Sequence, residues 1–333
     1  ETLAIVNEIL FTSKLSDEKR LHEILAQSRS RLQQSLSSAG HSVSSMRALA
    51  GFSKYAYYLD ATNGITYYEL VKDFEEHFDE KKDELIARLK ALMTKLFVSN
   101  RLLISFTGDE KVYGDATEKV GELLKKHPAG ETAKNAAEIV PVKKNEAFTD
   151  ASQIQYVAKA GSFAAHGFHY TGALRILKLI LSYDYLWINI RVKGGAYGCM
   201  SGFFRSGETY FVSYRDPNLT KTLETYDGIP EYLRNFDADE RDMTKYIIGT
   251  FSSMDTPLYP EGKGQRSMNA YLQNISIETL QAERDEVRNA QASDIRALAD
   301  LIESVLLEPT ICVIGNEDAV KKEAQLFDTV SSL

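Results

Sequence analysis

The segment richest in usable chemistry is Arg191-Val192-Lys193-Gly194-Gly195-Ala196-Tyr197-Gly198. Arg191 offers a planar fork of N–H donors, and the Tyr197 hydroxyl can donate into a negative charge developing on an oxygen. Three glycines let the backbone turn tightly and come close to a ligand. By residue type alone, such a stretch between a helix and a strand is more often a simple turn. A nucleotide-binding loop is a poorer reading still. No Gly-Lys-Ser/Thr follows the glycines, and no helix start is placed to cradle a phosphate.

Metal chemistry has no comparable foothold. His-x-x-Glu-His is absent in either direction, and the nearest approach, Asp73-Phe74-Glu75-Glu76-His77, has an aspartate where the first histidine should stand. On an amphipathic helix that segment reads as a solvated acidic face. His166 and His169 form the one close histidine pair, without an acidic neighbour to complete a zinc site. They read as loop or structural residues, and His22, His41 and His127 are scattered. Cys199 and Cys312 lie far apart in apolar stretches, which suits buried thiols of a reducing compartment better than a disulfide framework.

The elements around the Arg191–Gly198 loop follow from periodicity. An apolar helix is expected from about Thr171 to Trp187 ahead of it, and strands near 200–205 and 208–214 after it, joined by a Ser206-Gly207 turn. A strand is expected over 153–160 and another over 310–314, the latter ending at Gly315-Asn316. Helices fill most of the remainder from Leu219 onward. The first hundred residues read as nearly continuous helix. One begins at Ser16 as N-cap and stops at Gly40, with Leu21, Ile24, Leu25, Leu32 and Leu36 on one face. A second covers 43–60 with Met46, Leu49, Ala50 and Tyr57 inward, and others cover 67–78, 83–97 and 116–126. Between them Leu102-Leu103-Ile104-Ser105-Phe106-Thr107 reads as a strand. The Pro- and Gly-bearing stretch His127–Asn145 is the expected domain boundary, dividing the chain into residues 1–136 and 137–333.

The two parts read as copies of one unit. Asp17-Glu18 pairs with Asp239-Glu240, and Ser45-Met46 pairs with Ser267-Met268 at the same interval. Phe106-Thr107-Gly108-Asp109-Glu110 resembles Val313-Ile314-Gly315-Asn316-Glu317 at a shorter interval, so the first copy carries extra residues between landmarks. The second copy has strands, a helix and the glycine loop ahead of its acid pair, whereas the first has almost nothing. Its lone strand would expose unpaired backbone groups, and its helices lack a surface to cover. The first domain is therefore expected to be incomplete at its N-terminus.

Composition is that of an ordinary globular protein, 44% hydrophobic and 26% charged over 333 residues. A formal net charge of -8 gives no basic footprint for nucleic acid. The most apolar run, 173–190, is interrupted by Arg175, Lys178 and Asp184, which makes it a core helix and not a membrane span. No signal peptide is visible in the opening Glu-Thr-Leu-Ala-Ile.

Arg191 to Gly198 resembles the Arg-x-x-Gly-Gly-Ala-Tyr-Gly segment of presequence proteases, a branch of the pitrilysin and insulin-degrading superfamily. Residues 8–13 (Glu-Ile-Leu-Phe-Thr-Ser), Ser45-Met46-Arg47, Gly64-Ile65-Thr66-Tyr67 and Phe106–Glu110 resemble the same branch, in family order over nearly the whole chain. The resemblance implies an α+β fold of two related domains, each with helices on a mainly antiparallel sheet. Residues 1–136 would be the later part of a third peptidase domain and 137–333 a complete fourth. It implies a zinc endopeptidase acting on unstructured peptides, with the zinc ligands in an N-terminal half outside this chain. Arg191 would then hold the substrate backbone, and Tyr197 would stabilise the oxyanion formed by attack of zinc-activated water. Gly194, Gly195 and Ala196 would bring the loop to the peptide. The expected partners are that N-terminal half and peptide substrates, with neither nucleic acid nor membrane, in the cytoplasm or an organelle matrix. A non-catalytic structural or recognition subunit of the same superfamily is the alternative, and an unrelated α+β binding module is a third reading.

Overall fold

The computed structural model describes residues 2–126, 129–130 and 138–333. The expected boundary between residues 136 and 137, together with His127, lies outside them. In chain order the helices are α1 (Thr2–Thr12), α2 (Glu18–Ser38), α3 (Gly40–Leu49), α4 (Lys54–Asn63), α5 (Ile65–Glu76), α6 (Phe78–Leu96) and α7 (Tyr113–Lys126). Then come β1 (Glu146–Asp150), β2 (Gln155–Ser162), α8 (Ala173–Tyr183), a π-helical turn (Trp187–Val192), β3 (Gly198–Phe203) and β4 (Glu208–Tyr214). The chain closes with α9 (Thr220–Asp227), α10 (Ile229–Arg234), α11 (Glu240–Met254), α12 (Pro260–Leu272), α13 (Ile277–Asn289), α14 (Ala292–Leu307), β5 (Thr310–Asn316), α15 (Glu317–Lys322) and β6 (Thr329–Ser332). No described helix is long and apolar enough to cross a membrane. The chain separates into two units. One comprises Glu1–Arg31, Glu69–Glu138 and Pro257–Ser276, and the other Leu32–Tyr68, Ile139–Thr256 and Ile277–Leu333.

The second unit is built on one six-stranded sheet of order β3-β4-β2-β5-β1-β6. The β3–β4, β2–β4 and β2–β5 pairs are antiparallel, and the β1–β5 and β1–β6 pairs are parallel. Side chains alternate across it with the period of a strand. Ala147, Val157, Phe211, Ile311 and Val313 face one layer, where α8 buries Ala173, Leu174, Leu177, Ile180 and Leu181 on a single helical stripe. Ile295, Leu298, Ile302 and Val305 of α14 complete that core. Phe148, Tyr156, Ala158, Val212, Cys312 and Ile314 face the opposite layer, against Leu36, Val43, Ala48, Leu49, Ala56 and Ile65. Each such aliphatic side chain withdrawn from water contributes about 1.5–3 kcal/mol.

Several expectations needed correction here. The helix expected over 43–60 is two, because Gly51-Phe52-Ser53 breaks it and Ser53 caps α4 by accepting from the Ala56 amide. Tyr57, expected inward, is exposed. The N-cap of α2 is Asp17, not Ser16, because the helix starts at Glu18 and the Asp17 carboxylate accepts from the Arg20 amide at 3.0 Å. Ile24 is exposed while Leu25 and Leu36 are buried. β1 and β6 were not expected at all.

In the first unit Leu25, Val71, Phe74, Phe78 and Val98 are buried, and the His22 ring stacks on Phe78 with centroids 4.5 Å apart. Arg29 pairs with Glu75 at 2.5 Å and with Glu76 at 2.8 Å, and Lys81 pairs with Asp73 at 2.5 Å. Asp73–His77 is thus an ion-paired helix face. Leu102–Thr107, expected as a strand, is extended but unpaired. Its side chains are exposed, Leu103 at 57% and Ile104 at 49%. A strand needs a neighbour to accept its hydrogen bonds, and none is present among the described residues.

Candidate functional site

The loop that carries Arg191 and Tyr197 is held at both ends by the core of the second unit. Helix α8 stops at Tyr183, and the chain re-forms as the π-helical turn Trp187–Val192, whose Leu186 and Ile190 flanks are fully buried. Such wide turns are rare in helices and recur at functional sites. The turn closes through the Gly195 amide donating to the Arg191 carbonyl (2.9 Å) and the Ala196 amide donating to the Ile190 carbonyl (3.1 Å). Gly194 cannot carry a side chain, because a Cβ there would lie 2.4 Å from the Ile190 carbonyl oxygen. Gly195 has φ +83°, the left-handed region that favours glycine. Ala196 is buried in the core, so its methyl anchors the loop instead of facing a ligand. That corrects its expected place among the substrate-contacting residues.

Beyond Ala196 the chain enters the sheet, and the Tyr197 amide donates to the Tyr214 carbonyl at 3.0 Å. The opposite side is fastened by Asp216. This carboxylate is fully buried, accepts from the Thr222 hydroxyl at 2.6 Å and from the Asn218 amide at 2.9 Å, and so aims the Asn218 side chain. Asn218 Nδ2 then donates to the Gly194 carbonyl at 2.7 Å. Burial pushes the Asp216 carboxyl above its usual range against the pull of these hydrogen bonds. Next to it Arg215 sits at φ 50°, a left-handed conformation uncommon for a residue with a side chain.

Arg191 and Tyr197 emerge side by side from this frame. The Arg191 guanidinium lies 4.1 Å from the Trp187 ring centroid and 5.5 Å from that of Tyr197. Among the described residues it has no carboxylate partner, which leaves its donors for an external acceptor. Tyr197 is 64% exposed and its ring meets Tyr214 edge-on at 5.6 Å. Tyr214 in turn meets His41 edge-on at 4.7 Å and lies 5.7 Å from the Tyr156 ring. Burial lowers the His41 pKa, which favours a neutral ring in this aromatic row. Cys199, one residue into β3, is a free buried thiol pushed up to about 11 by burial, with Asp216 adding to the rise and Arg191 opposing it. The arrangement presents a cation and a phenol to solvent, both oriented by aromatic contacts.

Sequence reasoning located Arg191, Gly194, Gly195 and Tyr197 but missed Trp187, Tyr214, His41, Asp216 and Asn218. Trp187 carried a signal, being the single tryptophan of the chain and one helical turn before Arg191. Asp216-Pro217-Asn218 had turn chemistry but nothing to tie it to Gly194. Among the described residues no group of three or more His, Cys, Asp or Glu could hold a metal ion. His166 and His169 are exposed beside a short 3-10 turn, and Cys312 is a second buried free thiol. The residues present therefore do not fit a resident zinc ion.

Residues 145–317 match the family model described as PreP C-terminal domain, and residues 1–74 match a second family model, described as peptidase-associated. Protein HypA of Clostridium perfringens is 39% identical over all of this chain, which spans 34% of that protein. Presequence protease 1, chloroplastic/mitochondrial, of Arabidopsis thaliana is 30% identical over 90% of this chain and 28% of its own length. The chain thus spans about a third of the curated relatives it matches. Among solved structures, pitrilysin superposes with TM-score 0.59 at 11% identity, over 94% of this chain and 33% of that one. A conserved protein from Enterococcus faecalis V583 gives TM-score 0.59 at 14% identity, over 95% and 74%. These likenesses show a shared fold.

Proposed function

Because this chain belongs to the PreP C-terminal domain family, we propose that it is the C-terminal, substrate-enclosing half of a zinc-dependent endopeptidase that degrades unstructured peptides. On this reading residues 1–136 are the later part of a third peptidase domain and 137–333 the fourth. The metal and its ligands come from an N-terminal half. The observation that carries the proposal is the Arg191–Tyr197 pair, exposed and without an internal acidic partner on a loop that the core, Asp216 and Asn218 hold still. A rigid mount matters because a donor accelerates reaction only if it already points where charge will develop.

In the peptidase site Arg191 donates to the substrate backbone beside the scissile bond, and Trp187 stacked against the guanidinium limits its swing. The Tyr197 hydroxyl donates to the carbonyl oxygen as it becomes an oxyanion. Gly194 and Gly195, lacking side chains, allow the peptide to approach the loop backbone. With both cysteines as buried thiols, a reducing compartment, the cytoplasm or an organelle matrix, suits the protein.

The test is peptide cleavage with and without the N-terminal half. The chain alone, given zinc, gives no turnover, and the combined halves cleave. In the combined enzyme Tyr197→Phe lowers kcat by about ten- to a thousand-fold with KM little changed, the range for loss of an oxyanion donor. Zinc-dependent turnover by the chain alone, or an unchanged kcat in the variant, overturns the reading.

A further inference from the structure

The segment Leu102–Thr107 has no role in the site described above, yet it has the composition of a core strand. Leu102, Leu103, Ile104 and Phe106 are all exposed, and the segment makes no backbone–backbone hydrogen bond among the described residues. Its place in the internal repeat is that of β5. Ile104 corresponds to Ile311, Ser105 to Cys312, Phe106 to Val313 and Gly108 to Gly315. The next helix begins alike in both copies. The Asp109 carboxylate accepts from the Lys111 amide at 2.9 Å at the entry to α7, as the Asn316 side chain accepts from the Ala319 amide at 2.9 Å at the entry to α15.

In its own copy β5 lies inside the sheet, parallel to β1 and antiparallel to β2, with both edges hydrogen-bonded. We infer that Leu102–Thr107 is a β-strand that inserts between two strands of a sheet supplied by the N-terminal half, parallel to one and antiparallel to the other. The inference rests on the reading that such a half completes this chain, and the curated relatives are far longer than the part this chain matches. A second copy of the chain is the poorer occupant. Its sheet already holds β5 in that position and offers only its edges, β3 and β6.

The repeat also assigns the faces. Ile311 and Val313 point into the core layer shared with α8 and α14, so Ile104 and Phe106 turn toward helices. Ser105 and Thr107 take the opposite face, which in this copy is polar and therefore less deeply covered.

Hydrogen–deuterium exchange on the whole chain, alone and mixed with the separately expressed N-terminal half, tests this. Alone, the amides of residues 103–107 exchange at nearly unprotected rates. In the complex they slow by at least about 100-fold. Ile104→Asp weakens the complex by at least about 100-fold, because it carries a charge into the covered face, whereas Ser105→Asp changes it by less than about 5-fold. The thermal melt of uncombined Ile104→Asp matches the parent chain, which separates lost pairing from lost folding. No complex, a complex in which 103–107 stay unprotected, or equal protection in the concentrated chain alone would each overturn the inference. Protection without peptide cleavage leaves the strand in place and removes the peptidase reading, and cleavage without protection does the reverse.

Discussion

β5 and Leu102–Thr107 hold matching positions in two copies of one repeat, and they differ in everything that a sheet supplies. β5 is buried along all but its last residue, bonded to β1 and β2, and covered on both faces. Leu102–Thr107 is extended, exposed and unbonded among the described residues. The helices around the two segments do not differ in this way, since α6 and α7 form in the first copy as α14 and α15 do in the second. Helices satisfy their own backbone, so they persist without the layer they were shaped to cover. A strand is half of a bond pattern and exists only with its neighbours.

The sharpest way to break this comparison is to place the same charge in both segments. Val313 has no exposed surface, and Val313→Asp would bury an unpaired carboxylate in the middle of the core. The expected loss is more than about 4 kcal/mol, enough to prevent folding of the second unit. Ile104→Asp in the uncombined chain changes stability by less than about 0.5 kcal/mol, as a surface substitution does. Urea unfolding followed by circular dichroism reads both. Equal losses at the two positions would mean that Leu102–Thr107 is already packed.

A second difference lies in how the copy with its own sheet is braced. Glu283 of α13 accepts from Arg205 at the end of β3–β4 at 2.5 and 2.7 Å and from Arg175 of α8 at 3.0 Å, tying the hairpin to the helix layer. Burial alone would raise the Glu283 carboxyl, but the hydrogen bonds and charges of Arg205 and Arg175 outweigh it and hold the carboxyl below the ordinary value of 4.5. The folded state therefore binds fewer protons at this site than the unfolded chain. The stabilisation is complete above pH 4.5 and is lost as pH falls below that value through the folded-state pKa. Glu283→Gln costs about 2 kcal/mol at pH 6, discounted because the arginines are about one-third exposed, and the gap to the parent narrows toward pH 3.5. Urea midpoints across that range check it, and a gap that widens in acid would refute it.

The same contrast explains what the sequence made legible. α8, β4, β5 and the glycine loop announce themselves by local pattern, an apolar helical stripe, alternating apolar residues and a dense run of glycines. β1 and β6 were invisible because Glu146-Ala147-Phe148-Thr149-Asp150 and Thr329-Val330-Ser331-Ser332 are short and half polar. They become strands only by pairing with each other and, for β1, with β5, far away in the chain. The break between α3 and α4 has a tertiary cause as well, since a Cβ on Gly51 would lie 2.9 Å from the Thr310 side chain. Leu102–Thr107 is the converse case, a legible strand whose partner lies outside the chain. At the site, residue types gave Arg191 and Tyr197. The Asp216–Asn218–Gly194 relay could not be read, because a hydrogen bond between loops leaves no periodicity.

The smallest expected effect is also the closest control, because it compares two positions that the repeat makes equivalent and the structure makes nearly identical. Asp17 accepts from the Arg20 amide at 3.0 Å, and Asp239 accepts from the Asp242 amide at 2.8 Å, each starting a long helix. Replacing either aspartate by alanine leaves an amide at the helix start unsatisfied and costs about 1 kcal/mol. What should differ is where that cost appears. Asp239→Ala lowers the main unfolding midpoint, because α11 buries Met243 and Thr250 in the core of the sheet-bearing unit. Asp17→Ala raises exchange in the first turns of α2 while leaving the midpoint of the sheet-bearing unit where it was, since this end of the helix belongs to the other unit. Equal shifts of one common midpoint would show that the two units unfold together, and the contrast between the copies would then be one of exposure without any difference in cooperativity.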